Sequence, residues 1–328
     1  MRRVLLPHEI SSAPAPAGAA IADCQGTSMG TAWSVRLAGA REGLQDLLEK
    51  ELDLVVAQMS HWEAASSLGR FNRAEARTWH VLPAEFFEVL SFGLDVCDAS
   101  GGACDPCAGA LVNLWGFGPV NRYDQPGFTP PTPRQVDDVL GARAHVRLDQ
   151  EGRRAWQPGG VQLDLSAIAK GYAVDRLAHC LERLGVRHYL VEVGGELRGA
   201  GVKPDGQPWW VALEQPVDGA GDIVVALHGL AVATSGDYRR FYRDDTRRLP
   251  HTIDPRTGRP IDNGIASVTV IHASCMAADA WSTALTVLGA DEGLLLAERR
   301  GLAARFLRRQ ADGTLAETVS SHFSAMLD

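Results

Sequence analysis

The sequence predicts an α+β fold: mixed or largely antiparallel sheets with helices packed on them. Strand-like runs outnumber clean β-α-β units, which argues against a doubly wound parallel sheet. The chain has 328 residues, of which 45% are hydrophobic. That is enough to bury a full core as one large domain or as two lobes. No internal repeat interrupts it.

Residues 1–24 are rich in Ala, Pro and Ser and read as a flexible leader. Residues 25–328 then form a single domain, with two lobes as its alternative arrangement. "TAWSVRL" (31–37) reads as a strand and leads to an amphipathic helix from about Ala40 to Met59, with Leu44, Leu47, Leu48, Leu52 and Val55 on one face. A second helix spans Pro83–Ser100 and stops at Gly101 and Gly102. Residues 119–134 hold five prolines and read as a surface loop. "VQLDLSAIAKGYAVDRLAHCLERLG" (161–185) is a strand, a short loop and a helix with Val174, Leu177, Leu181 and Leu184 on its apolar face. "HYLVEVGGELRGAG" follows as a strand running into a glycine-rich turn. Further strands fall at 209–213, 223–228 and 265–271, before helices at 276–288 and near 290–300.

Composition narrows the partners. Thirty-two basic against 40 acidic residues give a net charge of −8 without a basic cluster, so no nucleic-acid footprint exists. No run is long and apolar enough for a transmembrane segment. "MRRVLLPHEISSAPAPAGAAIADCQG" lacks the apolar stretch of a secretory signal, because Pro7, His8 and Glu9 follow Val4–Leu6. As written, the chain is expected in the cytoplasm; a start lying further upstream would allow export. Six cysteines in this length do not make a disulfide scaffold. "CDPC" (104–107) has no second pair at zinc spacing, and reads as two small buried side chains beside a turn.

Five clusters carry chemistry. "GTSMGT" (26–31) suits a tight backbone turn against a flat ligand. "MSHWEAASSLGRFN" (59–72) sets Trp62 and Phe71 near Arg70 and Asn72. "DLSAIAKG" (164–171) places Asp164, Ser166 and Lys170 around the start of a helix, where free N–H groups and the dipole favour phosphate; Ser166 also suits an N-cap. "SGDYRRFY…HTIDPRTGRP" (235–260) concentrates Asp237, Tyr238, Arg239, Arg240, His251 and Asp254 among stiff turns. Last, "AADAWSTAL" (277–285) belongs to an apolar helix, yet Asp279, Ser282, Thr283 and Thr286 recur at i, i+3, i+4 and i+7. A carboxylate with hydroxyls on one helix face is the oxygen-rich set that Mg2+ prefers.

These stretches, with "DPCAGALVNLWGFGP" and "VEVGGEL", resemble the ApbE-type FAD:protein FMN transferases from about Gly26 to Gly289. Cys104 and Cys107 stand where that family usually has Phe and Thr, and Gly69 where Ser is frequent. The resemblance implies a Mg2+-dependent transferase that splits FAD at its pyrophosphate, releases AMP, and joins FMN by a phosphoester to a threonine of a target flavoprotein. It places magnesium on Asp279 and Thr283, with Ser282 adjacent and the carbonyl of Ala167 completing the set. It places FAD against Met29, Trp62, Ala103, Cys104, Asp105, Asp164, Lys170, His251 and Ile253. The threonine hydroxyl needs a base; His251 is the candidate, with Asp254 or Asp237 orienting or replacing it. Two other readings stand beside this one: an FAD pyrophosphatase yielding FMN and AMP, and a flavin-binding protein without turnover.

Overall fold

A computed structural model describes the chain except residues 1–2, 8–9, 11–13, 16–17, 217–222, 245–246 and 328. The chain forms two compact units. One comprises Met1–Asp53, Lys170–Gly236 and Gly264–Asp328; the other comprises Leu54–Ala169 and Asp237–Asn263.

The first unit is built on an eight-stranded sheet in the order Leu315–Val319, Ala303–Arg309, Ile265–His272, Leu230–Gly236, Glu196–Ala200, Tyr189–Val193, Thr31–Ala38 and Ile21–Ser28. Every neighbouring pair in it is antiparallel. Strand alternation governs the Thr31–Ala38 strand, where Trp33, Val35 and Leu37 are buried and Arg36 faces out. The strand Ile265–His272 is buried from Ile265 to Ile271 on both faces. The long helix Cys275–Arg300 packs on that strand and on Leu230–Gly236. The two helices expected at 276–288 and 290–300 are this one element, kinked at Gly289 (φ 82°). Ser274 caps its start, and Gly301 ends it in the left-handed region (φ 65°).

A smaller sheet in the same unit corrects the expected leader. Arg3–Leu5 is a strand running parallel to Ile223–Leu227, which pairs antiparallel with Trp209–Ala212. Leu5 is fully buried in a cluster with Ile223, Val225 and Phe323. Residues 21–24 belong to the edge strand Ile21–Ser28. A three-residue strand has no local periodicity, and its partner lies more than 200 residues away, so no sequence window contains the signal.

In the second unit, Thr78–Val81, Arg154–Gln157 and Arg147–Asp149 form a three-stranded antiparallel sheet in that order. The helix Ala84–Ala99 starts after Pro83 and ends before Gly101 and Gly102, both at positive φ, as the sequence predicts. The end of the proline-rich loop is a helix start instead. Thr132 and Gln135 form a capping box with Pro133 at the first helical position, opening the helix Pro133–Gly141. Val136 of that helix packs with Leu111, Trp115, Phe117 and Ile253. The helix Leu44–Met59, of which Leu44–Asp53 belong to the first unit, buries Leu44, Leu48, Leu52, Val55 and Met59, whereas Leu47, expected on the same face, is 40% exposed. Among the described residues no helix is long and apolar enough to cross a membrane.

The docked N-terminal strand is testable. Truncating a fully buried leucine leaves a cavity worth about 2–5 kcal/mol, so Leu5→Ala should lower the urea midpoint by a corresponding amount. A change below about 0.5 kcal/mol, the range of ordinary surface substitutions, would mean the strand is not packed in the core.

Candidate functional site

The polar stripe lies where the long helix meets the eight-stranded sheet. Asp279, Ser282 and Thr286 are buried to within 3%. Two hydroxyls bond back to their own helix: Ser282 Oγ donates to the Asp279 carbonyl (2.9 Å) and Thr286 Oγ1 to the Ser282 carbonyl (2.7 Å). Ser235, on the neighbouring strand, joins the stripe to the sheet. Its Oγ lies 2.8 Å from Ser282 Oγ and 2.9 Å from Thr283 Oγ1. The Asp279 carboxylate accepts the Gly171 N–H through Oδ2 (2.9 Å).

That bond depends on a close approach. A β-carbon on Gly171 would lie 2.3 Å from the Cys275 carbonyl oxygen and 2.7 Å from Asp279 Cβ, so only glycine lets the helix Ala169–Arg183 come this near. One turn later, Asp175 fixes the same contact. Its carboxylate accepts the Ser274 hydroxyl (2.8 Å) and the N–H groups of Cys275 and Met276 (3.0 Å each). Arg198 pairs with it from the sheet (2.7 Å). A carboxylate on the first N–H groups of a helix satisfies donors and complements the dipole. Sequence reading passed over Asp175; its one signal was an acidic residue four places after the glycine.

Charge at this end of the unit is unbalanced. Lys170 pairs with Glu196, a residue the sequence analysis did not single out. Burial works against the Lys170 ammonium, yet the Asp279 and Glu196 carboxylates hold its pKa above the ordinary value. Burial raises Glu196 to about 7, against the opposing pull of Lys170. Burial also raises Asp279, opposed by Lys170 and by the Gly171 N–H. Two carboxylates therefore share one ammonium, and Glu196 Oε2 is buried without a hydrogen-bond partner among the described residues. An oxygen-only donor set carrying surplus negative charge fits a hard divalent cation such as Mg2+.

Met29 also lies in the first unit. It and Gly30 form the two-residue turn between Ser28 and Thr31, with φ of 54° and 73°. Positive φ at both central residues matches the twist of a hairpin. For methionine it costs about 1 kcal/mol.

The second unit carries the remaining predicted residues. Asp164 Oδ1 accepts the Ser166 N–H (2.8 Å) and lies 3.5 Å from His61 Nδ1. The Ser166 hydroxyl sits 3.4 Å from that same nitrogen, so its contact is with His61. His61 Nε2 is buried without a partner among the described residues; the sequence analysis saw its neighbour Trp62 and not the histidine. Trp62 is 43% exposed, with the Arg122 guanidinium 5.5 Å over its ring. Ala103 and Cys104 are buried, as is Asp105, which pairs with Arg143. Ala167 is half-buried, on the turn before the helix Ala169–Arg183.

His251 donates its backbone N–H to the Arg240 carbonyl (3.1 Å), and its Nδ1 lies 3.1 Å from the same oxygen. A carbonyl only accepts, so Nδ1 carries the proton and Nε2 holds the basic lone pair. Ile253 and Asp254 form a short strand paired with Arg259 and Pro260. Asp254 is fully engaged by Arg256: its Oδ1 accepts the backbone N–H and Nε, and its Oδ2 accepts a terminal nitrogen, each at 2.9 Å. That geometry makes Asp254 a builder of the turn after His251.

The Glu196 environment gives a pH signature in metal-free protein. Between about 4.5 and 7 the unfolded chain has lost a proton that folded Glu196 keeps. Folded stability therefore falls as pH rises through this window. Glu196→Gln should flatten the fall measured by chemical unfolding at a series of pH values, leaving the share due to Asp279. An unchanged slope would place the titration elsewhere.

Similarity to known proteins bears on this arrangement. The profile of the ApbE family matches residues 29–306. The FAD:protein FMN transferase of Salmonella typhimurium is 37% identical over 302 residues, covering 88% of this chain and 85% of the relative. The apo crystal structure of the Pseudomonas stutzeri flavinyl transferase ApbE superposes with a TM-score of 0.85 at 37% identity, over 94% of this chain and 97% of that one. A histidine-to-glycine mutant of the Vibrio cholerae flavin transferase ApbE reaches 0.85 at 33% identity, over 94% and 100%. In fold, in sequence and along nearly its whole length, the chain belongs to the ApbE family.

Proposed function

We propose that this chain is an FAD:protein FMN transferase that uses Mg2+ and delivers FMN to a threonine of a target flavoprotein. The observation that carries the reading is the oxygen shelf of buried Asp279 and half-buried Thr283, held by Gly171 and Ser235 and left with surplus negative charge because Glu196 shares Lys170. In this reading Asp279 and Thr283 would hold the cation. Ser282, with its hydroxyl already donated to the Asp279 carbonyl, supports the shelf from behind. When bound, Mg2+ offsets the charge that builds on the pyrophosphate oxygens as AMP departs.

The chain's own residues do the rest. His251 Nε2 takes the proton of the threonine hydroxyl as its oxygen bonds to the FMN phosphorus and the bond from that phosphorus to the AMP oxygen breaks. The Nδ1–H bond to the Arg240 carbonyl holds the imidazole in the tautomer this needs. Asp254 acts through Arg256 on the shape of the following turn. Lys170, engaged by carboxylates, sets the charge of the shelf in addition to facing phosphate. In the second unit Trp62, Ala103, Cys104, Asp105, Asp164 and Ile253 would contact the flavin, with Trp62 offering an exposed ring face for stacking.

Incubating the enzyme with FAD, Mg2+ and a candidate flavoprotein should add one FMN mass to the acceptor, stable to denaturation, with one AMP released per adduct. Asp279→Ala should abolish both products in a folded protein. His251→Ala should slow adduct formation by about a hundredfold or more, the usual contribution of a general base. Free FMN and AMP appearing at one rate with or without acceptor, and no adduct, would make the protein an FAD pyrophosphatase and overturn the proposal.

A further inference from the structure

The cysteine that the sequence left without zinc partners has partners in space. Asp105, Cys107 and His145 each offer one ligand atom, and the three atoms lie within 4.8 Å of one another. His145 Nδ1 is 3.7 Å from the Asp105 carboxylate, and the Asp105 carboxylate also accepts the Cys107 backbone N–H at 2.7 Å. Asp105 and Cys107 are buried, whereas the His145 side chain is 58% exposed. All three belong to the second unit.

We propose that Asp105, Cys107 and His145 form a binding site for a borderline-soft divalent cation of the zinc class. The donor set selects the metal: one carboxylate oxygen, one sulfur and one imidazole nitrogen are the ligands zinc accepts, and a thiolate disfavours Mg2+ and Ca2+. Three protein ligands leave a fourth position for water. Tetrahedral zinc with bonds of about 2.0–2.3 Å sets its ligand atoms roughly 3.5 Å apart, so closing the set needs an inward movement of about 1 Å. His145 can supply that movement, because it sits between the helix Pro133–Gly141 and the strand Arg147–Asp149, outside both.

Arg143, two residues earlier, pairs with Asp105 and also donates to the Pro255 carbonyl. A ligating carboxylate ordinarily keeps such an outer hydrogen bond, which fixes its orientation. Binding exchanges the Cys107 S–H bond for an S–metal bond and releases one proton to the buffer. Occupancy would tie the 142–146 segment to the turn at 103–107.

Cobalt is the probe, since its thiolate complexes absorb visibly where zinc is silent. Reduced, chelator-treated full-length protein is titrated with Co2+ in excess Mg2+, which fills any hard oxygen site. One equivalent should bind with a thiolate-to-cobalt charge-transfer band and with proton release, and Zn2+ should displace it. Cys107→Ala should remove the band, and His145→Ala, at an exposed position, should weaken binding at least tenfold. Both variants should keep Mg2+-dependent AMP release. Absence of the band in the native protein, its survival in Cys107→Ala, or unaltered affinity in His145→Ala would overturn the site, and none of these outcomes touches the transferase reading.

Discussion

Where the helix Ala169–Arg183 passes the start of the helix Cys275–Arg300, the two backbones leave no room for a side chain at Gly171, and the candidate chemistry of the first unit depends on that closeness. The Gly171 N–H reaches Asp279 only because nothing stands between them. Asp175 then locks the helices together through the first N–H groups of the longer one. The same residue is tied to the sheet by Arg198. A single acidic side chain thus joins two helices and a strand, and sets the angle at which Asp279 is presented.

This packing explains why a carboxylate can stay in an apolar helix. A buried charge without partners costs several kcal/mol. Asp279 lowers that cost with a backbone donor and a nearby ammonium, but Glu196 claims the same ammonium. Burial raises both carboxylates against the pull of the one ammonium they share, and an oxygen set of this charge suits a hard cation. The hydroxyls of Ser235, Ser282 and Thr283 continue the oxygen surface from helix to strand without adding charge.

Much of this was legible in the sequence because it is periodic or local. The α+β class, the helix Ala84–Ala99 with its glycine stop, and the stripe at Asp279 all follow from spacing and turn chemistry. The tight turn at Met29 was legible from its glycines, although its strain was not. What stayed hidden is long-range. The Arg3–Leu5 strand exists by virtue of a partner near residue 224. Glu196 lies 26 residues from Lys170, Asp175 is about 100 from the N–H groups it caps, and His145 is 38 from Cys107. Such residues carry no pattern of their own, and the fold alone makes them neighbours. Resemblance to a family added what periodicity could not, the expectation that the Ala167 carbonyl belongs to the cation's ligand set.

The claim on which the account turns is that Asp279 and Thr283 hold the cation. Manganese shares the preference of magnesium for oxygen ligands and scatters anomalously, so crystals grown with Mn2+ and FAD locate it without ambiguity. The account predicts an anomalous peak within about 2.0–2.4 Å of an Asp279 carboxylate oxygen, the range of hard-cation bonds, with the Thr283 hydroxyl also in its ligand shell. A peak on other residues, with Asp279 still bonded only to Gly171, would contradict it.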